Sequence, residues 1–319
     1  MNFCSTEKMH IDTSKVTDCA YCGYQGELIV HEVKEMMFGT GELFHYGECP
    51  ECKSLCLLDP PKDLSPYYPE DYYSFLPLVK TSSVINFLKK IRFTLFQITE
   101  YHQVKPVFGD WVAKIKPKKT ARIADIGCGN GQLLFELYAA GFKNLTGVDP
   151  FMKESVRVNK YLSLEKKSIF EIEGVFDLVM IHHALEHMDH PQAILKRCFE
   201  LMDHESYLLV RLPVTDSKVW KDEGVYWVQL DAPRHFQIPS VSGLKKLAEK
   251  EGFESRGIVF DSTEFQFWGT ELAKEGKILS KEEHMKVFSK QDMARWRKKA
   301  ALYNQKSVGD QASFYFYKP

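Results

Sequence analysis

The run Ile123-Ala-Asp-Ile-Gly-Cys-Gly-Asn-Gly131 constrains this chain most, because three alternate glycines separate an apolar strand from an amphipathic segment. Glycine at 127, 129 and 131 lets the backbone turn sharply and approach a ligand closely. A dinucleotide-binding turn places its third glycine three residues after the second. G-x-G-x-G is therefore a nucleotide-binding turn without the dinucleotide spacing. Asp125 lies inside the strand end, and Gln132-Leu-Leu-Phe-Glu-Leu-Tyr138 reads as the helix that follows. Leu145-Thr-Gly-Val-Asp149 reads as a second strand ending in a carboxylate, placed to accept hydrogen bonds from ribose hydroxyls.

At these residues the chain resembles the class I S-adenosylmethionine (SAM)-dependent methyltransferases, and the resemblance runs on through later segments. Val175-Phe-Asp-Leu-Val-Met-Ile181 is similar to that family's fourth strand. His183-Ala-Leu-Glu-His-Met-Asp-His-Pro191 is similar to the helix after it, and Tyr207-Leu-Leu-Val-Arg-Leu-Pro213 to the fifth strand. Gln229-Leu-Asp-Ala-Pro-Arg-His-Phe236 and the segment from Leu244 to Phe253 resemble a bacterial subgroup with an N-terminal zinc-binding module. Many of that subgroup are associated with small molecules or surface-sugar biosynthesis. The resemblance implies an α/β fold: a seven-stranded, mostly parallel Rossmann-like sheet with its last strand antiparallel, plus a small zinc-ribbon module. Ala312-Ser-Phe-Tyr-Phe-Tyr-Lys318 fits that last strand. The resemblance further implies SAM over Gly127, Gly129 and Gly131 with its ribose on Asp149, Asp125 beside the turn, and Phe151 and Ile169 as adenine contacts. At the third strand the family often carries an acidic residue, where this chain has Lys167-Ser-Ile-Phe170.

With 319 residues and 44% apolar side chains, the chain suits one full-size domain plus a small module. The expected organisation is a zinc-ribbon-like module at 1–63, a Tyr/Pro-rich connector and amphipathic helix at 64–119, and a methyltransferase domain at 120–319. A long insert at about 261–311, with a helix around 292–303 and an aromatic cluster at 265–269, precedes the last strand. A net charge of −1 gives no overall basic field. No apolar run approaches the roughly 18 residues that span a bilayer, and the polar N-terminus lacks a secretory apolar segment. Eight cysteines without such a segment favour metal or core roles in a reducing compartment. The expectation is a cytoplasmic protein with no stable membrane insertion.

Cys19-Ala-Tyr-Cys22 and Cys49-Pro-Glu-Cys52 form two C-x-x-C pairs, which can converge on one structural zinc ion. Four thiolates leave no open position for catalysis by the metal. Glu27-Leu-Ile-Val-His-Glu-Val33 and Glu42-Leu-Phe-His-Tyr46 between the pairs read as hairpin strands. Residues 1–80 carry 6 Lys/Arg against 13 Asp/Glu, the wrong sign for neutralising phosphates, so no nucleic-acid partner is expected. Beyond the Tyr-rich connector, apolar residues at Val84, Ile85, Phe87, Leu88, Ile91, Leu95 and Ile98 with Lys89, Lys90 and Arg92 between them predict an amphipathic helix. The expected role of its apolar positions is packing on the catalytic domain; attachment to a membrane surface is the alternative.

Methyl transfer needs a nucleophile held about 3 Å from the sulfonium methyl carbon and aligned with the leaving sulfur, and an alcohol gains from a base. His183, after the fourth strand, and His235, on the loop after the fifth, are the candidate bases. Arg234 and Tyr226 are candidate contacts to the acceptor, Arg234 through an acidic group such as phosphate. His183-Ala-Leu-Glu-His187 also matches the H-x-x-E-H metalloprotease pattern, but that reading leaves the glycine turn and Asp149 without a role. The sequence thus points to a SAM-dependent methyltransferase of a small polar acceptor, with O-methylation of a sugar, sugar nucleotide or related metabolite expected. A zinc-ribbon RNA methyltransferase and a non-catalytic SAM-binding regulator are the alternatives.

Overall fold

A computed structural model describes residues 17–68 and 76–319. Its centre is a sheet in which β6 (Arg122–Ile126), β7 (Asn144–Val148), β9 (Leu162–Glu165), β10 (Phe176–His182) and β11 (Met202–Pro213) run parallel. β14 (Gln311–Lys318) pairs antiparallel with β11, and β13 (Glu254–Phe260) antiparallel with β14. The other edge is β8 (Val156–Asn159), antiparallel to β9, giving the order β13-β14-β11-β10-β6-β7-β9-β8. The sheet thus has eight strands rather than the expected seven. The additional strand is β8, which lies between β7 and β9 in the chain and forms a hairpin with β9.

Strand periodicity explains why the sheet is covered on both faces, since alternate residues point to opposite sides. Ala124, Ile126, Val179, Ile181, Leu208, Val210, Phe314 and Phe316 pack under α4 (Pro191–Leu201) and α6 (Val241–Lys250). The intervening Ile123, Leu178, Met180, Leu209 and Tyr315 face the layer of α1 (Ser83–Thr99), α2 (Gly109–Ile115) and α3 (Gln132–Ala139). The segment after β10 is not the expected helix from His183. It forms a short 3-10 turn, Leu185–His187, and α4 starts only at Pro191. His183 takes a positive φ of 48°, outside helical space, and Pro191 suits a first turn but not a helix interior.

The N-terminal strands β1 (Thr17–Asp18) and β2 (Gln25–Gly26) form a small ribbon, followed by an antiparallel sheet of β3 (Ile29–Lys34), β4 (Leu43–Glu48) and β5 (Leu55–Leu57). This sheet gains a fourth strand, β12 (Gln237–Ile238), from the loop beyond β11. Its inner face shares a core with α5 (Lys218–Glu223) and with α7 (Phe265–Lys274) and α9 (Lys290–Gln305) of the insert, through Val33, Tyr46, Trp220, Trp227, Phe267 and Trp296. The short α8 (Lys281–Val287) joins the two insert helices. The Phe265–Gly269 cluster opens α7, with Phe267 buried against Tyr303. Residues 69–75 of the connector, including Tyr72 and Tyr73, lie outside the described residues.

α1 forms as expected but presents the opposite face to the domain. Phe93 and Phe96 are its buried residues, whereas all seven predicted apolar contacts, from Val84 to Ile98, are exposed.

Candidate functional site

The glycine turn lies where β6 ends between its parallel neighbours β7 and β10, the place in open α/β sheets where ligands bind. Gly127, Gly129 and Gly131 have φ of 71°, 52° and 77°, left-handed values that other residues adopt at a cost. A Cβ on Gly127 would lie 2.4 Å from that of Ala184, and one on Gly131 would lie 2.5 Å from Leu164 Cδ2. Asp149 faces the turn from the end of β7. Its Oδ2 accepts from the Gly129 amide at 3.0 Å and its Oδ1 from the Phe151 amide at 2.9 Å. Asp125 is buried, its Oδ1 has no hydrogen-bond partner, and burial followed by the nearby Asp149 charge pushes its carboxyl up to about 8. Phe151 is 76% exposed beside this site, whereas Ile169 is buried in the core and offers no open face.

Around the neighbouring ends of β10 and β11 the chain gathers three imidazoles and one carboxylate. Arg211 of β11 donates to His183 Nε2 at 2.6 Å and is itself held by Asp261 at 2.8 Å. His183 must therefore carry its proton on Nδ1, which lies 3.2 Å from Glu186 Oε1. Glu186 is fully buried and its Oε2 has no partner. Burial alone would raise its carboxyl, but the His183 bond and the imidazoles of His183, His187 and His235 hold it down at about 2. His187 and His235 meet at 4.7 Å between ring centroids. Each donates from Nδ1 to a backbone carbonyl, His187 to Arg234 at 2.8 Å and His235 to Gln229 at 2.7 Å. One ligand atom each of Glu186, His187 and His235 lies within 4.8 Å of the others, close enough for the three residues to share a cation.

The loop carrying His235 is tied down from both sides. Its Phe236 amide donates to the Glu186 carbonyl, and the Leu57 amide of β5 donates to the Phe236 carbonyl. Tyr46 of β4 donates its hydroxyl to the His235 carbonyl at 2.6 Å. Arg234 was expected to meet the acceptor; instead it is completely buried, paired with Asp231 at 2.6 Å and with Glu35 of the N-terminal sheet at 3.1 Å. His235 is 5% exposed, and burial, then His187, pushes its imidazole down to about 4. Tyr226 is 46% exposed in the turn Gly224–Tyr226, on the way into this loop. Sequence reasoning missed Arg211, Asp261, Glu186, Glu35 and Tyr46 as parts of the site. Only Glu186, inside the Leu-Glu-His segment, had a local signal.

Cys19, Cys22, Cys49 and Cys52 converge, with every Sγ within 4.8 Å of the others and the closest pairs at 3.5 and 3.6 Å. The two knuckles are built alike. The amide after each second cysteine donates to the carbonyl of the first, Gly23 to Cys19 and Lys53 to Cys49, with φ of 75° and 65°. Cys56 is turned away toward the Gly47 carbonyl. This four-thiol cluster is compatible with zinc.

Residues 101–256 match the family model described as a methyltransferase domain. Together with the strand order and the glycine turn, this match defines the chain as a SAM-dependent methyltransferase of class I topology. The zinc-binding module of the resembled subgroup has no counterpart in that family match. Among curated relatives, a tRNA U34 carboxymethyltransferase of Helicobacter pylori is 29% identical over 187 residues, covering 49% of this chain and 67% of its own. A ubiquinone biosynthesis O-methyltransferase of Ralstonia nicotianae is 29% identical over 113 residues, covering 32% and 47%. Among solved structures, the cyclopropane synthase MmaA2 of Mycobacterium tuberculosis aligns with 67% of this chain and 86% of its own at 17% identity and a TM-score of 0.44.

The tRNA-directed relatives overturn the expectation of no nucleic-acid partner. That expectation rested on the acidic residues 1–80, but residues 81–122 carry nine Lys/Arg against two Asp/Glu. The charge of one segment does not decide the partner of the chain. Among the described residues, no helix is long and apolar enough to cross a membrane.

The buried, raised carboxyl of Asp125 beside the glycine turn makes ligand binding there sensitive to pH. The ammonium group of SAM favours the ionised form of a nearby acid. If Asp125 meets it, SAM binding at pH 7 releases up to one proton, and the release fades above about pH 8. Calorimetry in buffers of different ionisation enthalpy measures this directly, and Asp125→Asn should abolish the release.

Proposed function

We propose that this protein transfers a methyl group from SAM to a nucleoside of RNA. The observation that carries the acceptor class is the similarity to tRNA U34 carboxymethyltransferases across roughly the same length as the methyltransferase domain. Bound SAM supplies an electrophilic methyl group. In this reading the glycine turn leaves room for it, Asp149 holds its ribose hydroxyls, Asp125 faces its ammonium group and Phe151 covers its base. A small-molecule acceptor is the second reading, favoured by the ubiquinone-pathway relative and by the acidic N-terminal segment.

Of the two candidate bases, the geometry supports His183 better. A third of its side chain is open, and ionised Glu186 stands behind its Nδ1, ready to stabilise the imidazolium formed when Nε2 takes a proton. To act, Nε2 must exchange its bond from Arg211 for the acceptor. His235 is a weak base at pH 7 in its buried position, and its bonds to Gln229 and Tyr46 suit a residue that holds the loop.

Methyl transfer from labelled SAM into total tRNA, compared with a small-metabolite fraction, tests the acceptor. Label in the tRNA is expected, and label confined to the small-molecule fraction overturns the RNA reading. With the true acceptor, His183→Ala should lower turnover by roughly 10²–10⁴-fold with little change in SAM affinity. His235→Ala alone abolishing turnover would reverse the assignment.

The four cysteines are assigned one structural zinc ion. Tetrahedral zinc with bonds of about 2.3 Å separates its sulfurs by about 3.8 Å, near the spacing of the two closest pairs. Elemental analysis should give one zinc per chain, and Cys22→Ser should lose it. Because β5 and Tyr46 hold the acceptor loop, metal loss should also disturb residues 229–240, seen as faster amide exchange there.

A further inference from the structure

We propose that α1 docks the protein onto an anionic lipid surface, lying flat in the interface. The helix advances about 100° per residue, which sets Phe93 and Phe96 against the domain and Val84, Phe87, Leu88, Ile91, Leu95 and Ile98 in a stripe on the far side. The first pair is buried at 1 and 3%, while the six stripe residues are 41–75% exposed. A surface helix that buries one apolar stripe normally presents polar residues on the other side. Here both sides are apolar, and the outer one runs the length of the helix. Val79, 67% exposed just before the helix, and Val107, 83% exposed after it, extend the apolar surface beyond both ends.

Charge selects the occupant. By the same geometry Lys90 and Arg92 sit on the two shoulders of the stripe, and Lys80 precedes the helix. Arg92 is anchored on the Val104 and Lys105 carbonyls, which fixes its charge beside the stripe. Glu100 is the one acidic residue in α1 and the turn that caps it, against Lys89, Lys90 and Arg92, and Lys89 is paired with Glu136. A second copy would bring like charges together across the stripe. RNA phosphates would find the lysines but leave six large apolar side chains in water. A membrane of anionic lipids satisfies both, taking the apolar stripe among its acyl chains and the cations among its headgroups.

Flotation or co-sedimentation of the full-length protein with vesicles tests this. Binding to phosphatidylglycerol-containing vesicles is expected, with weak binding to pure phosphatidylcholine and loss on raising salt. Ile91→Asp should weaken binding about tenfold or more, and Lys90→Glu about fivefold or more. Both positions are exposed, and an unchanged melting curve confirms that the variants fold. Should Ile91→Asp prove unstable, Phe87→Ser, one turn nearer the start of the helix, serves as the second variant. No binding by the wild-type chain, or equal binding by the stripe variants, overturns the proposal. A dimer or an RNA complex that Ile91→Asp dissolves, without vesicle binding by the wild type, also overturns it and assigns the stripe to that partner.

Discussion

The buried guanidinium of Arg234 is the interaction on which the geometry of the His235 loop depends. It pairs with Asp231 in its own loop and with Glu35 in the N-terminal sheet, and its carbonyl accepts from His187. Glu35 in turn accepts from the amides of Phe38 and Thr40, so the same carboxylate shapes the β3–β4 connection. Removing one member of such a buried set leaves an unpaired charge in low dielectric, at a cost of about 3–5 kcal/mol. Three parts of the chain far apart in sequence are thereby fixed in one geometry. Buried ion pairs add little net stability over apolar packing, so the role that suits this one is orientation.

That orientation gives the N-terminal segment a structural role beyond bringing its four cysteines together. Its sheet takes β12 from the acceptor loop, its Tyr46 holds the His235 carbonyl, and its Ser54 hydroxyl accepts from the Ser240 amide. The glycine turn needs none of this, since it, Asp149 and Asp125 are all supplied by β6, β7 and their turns. The protein thus divides its work. The central sheet supplies the glycine turn, Asp125 and Asp149, while a cysteine-knuckled sheet braces the loop beside the Glu186–histidine cluster.

Local signals made the glycine turn and the carboxylate facing it legible in the sequence. Glycine spacing, strand periodicity and a carboxylate at a strand end depend on neighbouring residues, and the structure places Gly127, Gly129, Gly131 and Asp149 together. Long-range pairing hid the rest. Nothing near Arg234 in sequence announces Glu35, 199 residues away, so a buried structural cation reads as a candidate substrate contact. His183 and His235 look equivalent until Arg211 and burial separate them. The periodicity of α1 announces an apolar face but cannot say which side the domain covers; two phenylalanines settled that against seven aliphatic and aromatic neighbours. The extra edge strand β8 is four residues long, too short for its periodicity to announce it.

The N-terminal sheet braces the loop at residues 229–240, and hydrogen–deuterium exchange of Glu35→Gln against the wild-type chain measures that bracing. Faster exchange is expected at residues 35–42 and 229–240, with residues 123–131 of the glycine turn unchanged. Unchanged exchange at 229–240 in a variant that has lost protection at 35–42 would contradict it, showing that the loop holds its geometry without the Glu35–Arg234 pair.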